Sequence, residues 1–301
     1  MSANSAAYLR WETNPPPPAG VQLSVCVACN ISDGVIIGVD SATTLGDPLN
    51  PVKIYGGVEK LFPLGELPVG LATYGLASIA GRTIASWTAE LTANLPSLIP
   101  AEYTMADVAE SIRNFFFTQY QESILGAAPP PQSAGEGLPQ MLPPVLGLVL
   151  GGFSKRSFQS EVWNIQLPYH ATGNSATRQF GEGQFGSGWY ASMAPIFRYI
   201  KGFDPSALQA VIEYVNQIRD PLQPGELEEL KKRAERAEFG VVFPGMPIAK
   251  GLEYVRFLVD LVIGHHKFAA GNPIVGGRCR VGYVTFDKAP FRIVTEWRSR
   301  Q

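Results

Sequence analysis

Residues 24–60 read SVCVACNISDGVIIGVDSATTLGDPLNPVKIYGGVEK, and their pattern decides the fold. An alternating apolar segment, Val21 to Ala28, runs into a polar corner, Asn30-Ile31-Ser32-Asp33. A second apolar run follows, Gly34 to Ser41. Asn, Ser, Asp and Gly clustered between two β-prone runs predict a β-hairpin. A loop with Gly46, Asp47 and Pro48 leads to Lys53–Tyr55 and then to Val58–Phe62. Residues Gly70–Gly75 read as a glycine-rich strand running into a helix. Hairpins this early leave no room for the crossover helices of a doubly wound parallel sheet. The Gly34–Gly38 stretch also lacks the dinucleotide-binding glycine pattern. The expected class is α+β.

The 301 residues can bury a large core, as one large domain or two small ones. The 24 basic and 26 acidic residues nearly cancel, which argues against a general nucleic-acid binder. Charged residues make up only 17% of the chain, which fits a surface partly hidden in contacts between subunits. An apolar monomer is the plainer alternative. No run reaches the length of a membrane span, and no basic region followed by an apolar stretch marks a secretory signal. The expectation is a cytoplasmic protein with no membrane partner. Three cysteines do not suggest a disulfide scaffold. Cys26 and Cys29 have metal-like spacing, but there is no second pair, and in a strand they point to opposite faces. Neither a metal nor a cofactor is expected.

Residues 1–20 are rich in Ala, Ser, Asn and Pro, and Pro15–Pro18 favours an extended polyproline form. This stretch reads as a flexible tail, a propeptide or an arm. Helices are expected at 76–95 and at 104–124, where Thr104 and Asp107 have capping-box spacing. A Pro/Gly/Gln loop covers 126–144, and strands follow at 145–152 and 161–167. Helices are expected at 189–201, 205–218, 224–237 and 251–270, then strands at 278–286 and 291–297. The charged 224–237 helix falls in an insert over 220–250. The element count fits two antiparallel sheets face to face with helices outside, a four-layer α/β/β/α sandwich spanning 21–301.

The order DGVIIGVDSATTLG, EKLFPLG and VGLATYGLASIAG resembles the proteasome β-subunit family of N-terminal-nucleophile hydrolases. The resemblance covers roughly residues 20–290, with inserts, and it lies in order and spacing rather than in any one piece. It implies a hydroxyl nucleophile at Ser24, an activating lysine at Lys60 and the lysine's acidic partner at Asp40. Gly75 falls at the oxyanion amide. Ser187, in Gly186-Ser187-Gly188, falls at the supporting serine. In GNPIVGG, Asn272 and Val275 stand where the family has an acid and a serine, so support for the nucleophile's amine is reduced. Leu23 precedes Ser24 where self-cleaving members have glycine, and in the chain as written the Ser24 nitrogen is an amide rather than a basic amine.

Plainer readings stand beside these roles. Ser24 can be an ordinary strand residue, Lys60 a surface lysine, Asp40-Ser41 a turn organiser and Ser187 a helix cap. Adjacent His265 and His266 diverge by about 100° on a helix, do not converge on one ion, and read as surface or helix-end residues. Three functions remain open: a ring- or oligomer-forming peptidase acting on peptide or protein, an inactive assembly homologue, and a small-molecule amide hydrolase on the same scaffold.

Overall fold

The structure, a computed structural model, describes residues 24–46, 51–126, 143–168, 176–203, 205–270 and 274–294. The expected extension at 1–20, most of the 126–144 loop and Asn272 lie outside the described residues. Strands β1 (Val25–Ile31) and β2 (Gly34–Val39) form the expected hairpin, turning at Ser32 and Asp33. A short ladder follows, β3 (Thr43–Gly46) with β4 (Pro51–Tyr55). Next come β5 (Leu61–Pro63) and β6 (Val69–Gly75). A two-residue ladder, β7 (Ser78–Ile79) with β8 (Arg82–Thr83), then occupies part of the expected 76–95 helix. Gly81 (φ +73°) makes its turn, and Thr83 caps helix α1 (Ile84–Leu98) by accepting from the Ser86 amide.

Helix α2 (Met105–Tyr120) begins on the Thr104–Asp107 capping box and runs into one π-turn at 121–125. Strands β9 (Leu146–Phe153), β10 (Ser160–Leu167), β11 (Thr177–Arg178) and β12 (Gly186–Ala191) come next. They are followed by helices α3 (Ala194–Lys201), α4 (Pro205–Ile218), α5 (Pro224–Glu235) and α6 (Ile248–Phe268). The last strands are β13 (Arg280–Thr285) and β14 (Arg292–Ile293). Residues 189–191 are strand rather than the start of a helix, because β12 completes a sheet along β1 and its Trp189 and Tyr190 suit a pleated surface. Ala191 then takes a left-handed φ of 65° as the chain leaves the strand towards α3.

Two five-stranded antiparallel sheets carry the architecture, in the orders β12-β1-β2-β13-β14 and β11-β10-β9-β6-β5. One apolar cluster joins them, with Cys26, Ala28, Val35 and Ile37 from the first sheet against Ala72, Tyr74, Val149 and Val162 from the second. The alternate residues of β1, Val25, Val27 and Cys29, pack with Val255, Leu258 and Val259 of α6. Cys26 and Cys29 therefore do lie on opposite faces. Helices α1 and α2 pack Leu91, Leu95, Ile112 and Phe116 with Leu71, Leu148 and Leu150 of the second sheet. Among the described residues no helix is long and apolar enough to cross a membrane.

Close approach fixes how α6 lies on the first sheet. Gly38 lies on the same face of β2 as Ile36, and a Cβ placed there would sit 2.5 Å from Cγ1 of Val255. Gly38→Ala must therefore push α6 outward, and it is expected to destabilise the protein by about 1–3 kcal/mol. Urea or thermal unfolding monitored by circular dichroism checks this; an unchanged midpoint would contradict the packing.

Candidate active site

Ser24 lies just before β1, Asp40 just after β2 and Lys60 just before β5. The β1–β2 hairpin is antiparallel, with Cys26 opposite Val39, so the start of one strand lies beside the end of the other. Strand β5 belongs to the second sheet, where Leu61 pairs with Ala72. Lys60 thus reaches from one sheet to residues of the other, at one end of the sheet pair. Its Nζ donates to Ser24 Oγ at 2.8 Å and to Asp40 Oδ1 at 3.0 Å. Asp40 is fully buried, Ser24 is 1% exposed and Lys60 is 7% exposed.

Backbone amides hold the carboxylate. Val25 N donates to Asp40 Oδ1 at 3.1 Å, while Ala42 N and Gly276 N each donate to Oδ2 at 3.2 Å. With the ammonium, these bonds offset much of the desolvation cost of a buried carboxylate. The Gly276–Gly277 pair completes the clamp. Gly276 O accepts from Ser41 N, and Ser41 Oγ accepts from Arg278 N at 2.7 Å. Gly277 is left-handed (φ +74°), and a Cβ there would lie 2.5 Å from Ser41 Oγ. Asp40 and Ser41 do organise a turn, and the same turn presents the carboxylate to Lys60.

Electrostatics separate the hydroxyl from the nearest thiol. Cys26 is wholly buried, and burial first, then the Asp40 charge, pushes its thiol far above the ordinary range, against a smaller opposing effect of Lys60. Cys26 therefore stays a neutral thiol, and Ser24 is the oxygen that receives the Lys60 hydrogen bond.

Gly75 ends β6 with φ +85°, and a Cβ there would run into the Val145 carbonyl. It lies two residues beyond Thr73, whose amide donates to the Lys60 carbonyl at 2.9 Å, so it belongs to the same end of the second sheet. Ser187 does not join this group. It sits within β12 opposite Cys29, five residues along β1 from Ser24, about 17 Å of extended chain. Its hydroxyl is bonded to Tyr254 OH at 3.1 Å and to Trp189 Nε1 at 3.0 Å. The Gly-Ser-Gly segment is strand rather than turn, so Ser187 does not cap α3 either.

A different serine adjoins Ser24. Ser192 N donates to the Ser24 carbonyl at 2.9 Å, and Ser192 Oγ lies 2.7 Å from His266 Nε2 on the last turn of α6. Neither residue is legible as a site residue from spacing. Ser192 follows a strand that reads as helix, and a histidine in a helix's last turn reads as a surface residue. Val275 is buried against the α6 cluster. Arg280 pairs with Glu59, the residue before Lys60, at 3.0 Å. Among the described residues no group of three His, Cys, Asp or Glu could hold a metal ion.

No protein-family model matches the chain, and no curated protein matches it. Solved structures do. One is a Gly-1 mutant of Anbu from Hyphomicrobium sp. strain MC1, with 12% identity over 90% of this chain and 86% of that one and a TM-score of 0.48.

Asp40→Asn leaves the Lys60 ammonium buried without its counter-charge and is expected to cost about 3–5 kcal/mol. Adding Lys60→Met to Asp40→Asn should return a large part of that loss, because the unpaired charge is gone. A double-mutant cycle in urea tests this, and strict additivity would contradict a coupled buried pair.

Proposed function

We propose that the protein is a proteasome-like N-terminal-nucleophile peptidase, with a four-layer α/β/β/α domain over 21–301 that carries the 220–250 insert and self-associates. The observation that carries the reading is the buried Ser24–Lys60–Asp40 chain at 2.8 and 3.0 Å. A serine hydroxyl is a weak nucleophile and needs both a base and stabilisation of its developing charge. Lys60, as donor to Ser24 Oγ, stabilises the alkoxide, and it leaves the hydroxyl proton pointing elsewhere. That proton goes to the α-amine of residue 24 in a chain cut between Leu23 and Ser24. An α-amine titrates near neutrality, where a general base works best. Ser24 Oγ then attacks the substrate carbonyl carbon, the amide C–N bond breaks as the amine leaves with the proton, and water hydrolyses the acyl ester. In this reading Gly75 supplies an oxyanion amide. Asn272, at the family's acidic position, supports the amine by hydrogen bonding alone.

Self-association is supported by one face of α4, where Val211, Tyr214 and Ile218 follow helical spacing and are each at least half exposed. A second reading, an assembly protein without activity, is favoured by Leu23 before Ser24 and by the apolar Val275.

A hydroxyl-reactive peptide electrophile distinguishes the two. Peptidase chemistry predicts a covalent adduct mapped by mass spectrometry to Ser24, lost in Ser24→Ala and formed about 10²–10³-fold more slowly in Lys60→Met. No adduct in a preparation whose chain begins at Ser24 would overturn the peptidase reading.

A further inference from the structure

Two polar residues beside the Ser24 chain have no part in that chemistry, Ser192 and His266. Ser192 is tied to residue 24 through the backbone, its amide donating to the Ser24 carbonyl at 2.9 Å. Its hydroxyl meets His266 Nε2 at 2.7 Å, a short bond between half-buried groups. Ala191, left-handed at φ 65°, marks the point where the chain leaves β12 just before Ser192. His266 in turn is carried by α6, which the first sheet holds through Val255, Leu258 and Val259. Both partners are thus placed by rigid elements.

We infer that His266 is a positioning residue for the Ser24 nucleophile, acting through Ser192: its neutral Nε2 accepts the Ser192 hydroxyl proton, which leaves the Ser192 oxygen to accept from the amine of residue 24. The inference rests on the reading of Ser24 as nucleophile and deepens it. An amine that acts as base must hold its lone pair towards the Ser24 hydroxyl, and an acceptor on one of its N–H bonds fixes that orientation. Asn272 and Val275 stand at the family's acidic and serine positions and supply no charge. The Ser192–His266 pair is a second source of that support.

Charge agrees with the direction. Burial, then neighbouring His265, lowers the His266 pKa from its ordinary value, and Asp40 opposes them more weakly. The groups acting on His266 are therefore His265 on its own helix and Asp40 at the end of β2, with Lys60 bound to that carboxylate. The lowered pKa favours the neutral imidazole, which accepts at Nε2 in the tautomer that carries its proton on Nδ1. Once protonated it can only donate, so the Ser192 proton turns towards residue 24 and opposes the amine. Acidification through the His266 titration then lowers the rate.

The test uses purified protein whose intact mass shows a chain beginning at Ser24, and the peptide electrophile, with labelling rates followed across pH. In the wild type the rate falls further below pH 6.5 than titration of an amine alone requires. His266→Leu and Ser192→Ala each slow labelling at pH 7 by about tenfold, and the double variant is no slower than either, because the two act as one unit. His266→Gln, which accepts a hydrogen bond but does not titrate, recovers most of the rate and loses the extra acid fall. Nitrogen-15 NMR of His266 is independent of activity: an unprotonated Nε2 at pH 7, with a midpoint raised in Ser192→Ala, supports the inference. A protonated Nε2, or variant rates and pH profiles equal to wild type, overturns the inference alone. A wild type that forms no Ser24 adduct overturns the nucleophile reading and this inference with it.

Discussion

Everything at this end of the molecule follows from one buried ammonium. Lys60 leaves the edge of the second sheet and is nearly enclosed, where an unpaired charge would cost several kcal/mol. It is held because Asp40, itself fully buried, faces it and because Ser24 takes another of its protons. Asp40 in turn is stabilised by amides from three separate places, the start of β1, the turn after β2 and the glycine pair before β13. The ion pair therefore ties the β1–β2 hairpin, the strand carrying Lys60 and the segment entering β13 into one corner. Breaking it loosens the fold and the candidate chemistry together.

That coupling explains why a hydroxyl rather than a thiol is presented. Cys26 is near the same charges but faces the apolar space between the sheets, where burial keeps its proton on. Ser24 lies at the sheet end, where a lysine from the other sheet can reach it. The Lys60 hydrogen bond alone does not make Ser24 reactive. In the proposed chemistry it stabilises an oxyanion, whereas the proton still needs an acceptor, and a peptide nitrogen is not one. Leu23 before Ser24 makes that the decisive chemical question for this chain.

Much of the fold was legible in the sequence because local pattern and tertiary role agree there. The β1–β2 hairpin has turn residues at Ser32 and Asp33 and alternation on both sides, and the α2 start has its capping box written out in Thr104 and Asp107. Asp40 and Lys60 were singled out by the family resemblance of the segments that carry them, since local pattern alone reads them as a turn residue and a surface lysine. The misses fall at a local turn, where Gly81 makes the β7–β8 ladder inside an expected helix, and where long-range pairing overrode local preference. Residues 189–191 look helical beside α3, but the free edge of β1 drew them into a sheet. Ser187, given the supporting role by its Gly-Ser-Gly motif, lies within that strand opposite Cys29, and Ser192 follows the strand's actual end. His266 was invisible for a related reason: its partner comes from 74 residues away, and no periodicity reports such a contact.

The intact mass of the freshly purified, assembled protein tests the central claim most directly. If Ser24, held by Lys60, works through its own amine, the mass must correspond to a chain lacking the 23 residues before it and beginning at Ser24. A preparation that is assembled and cleaves peptides while every chain still carries Leu23 joined to Ser24 would contradict the account.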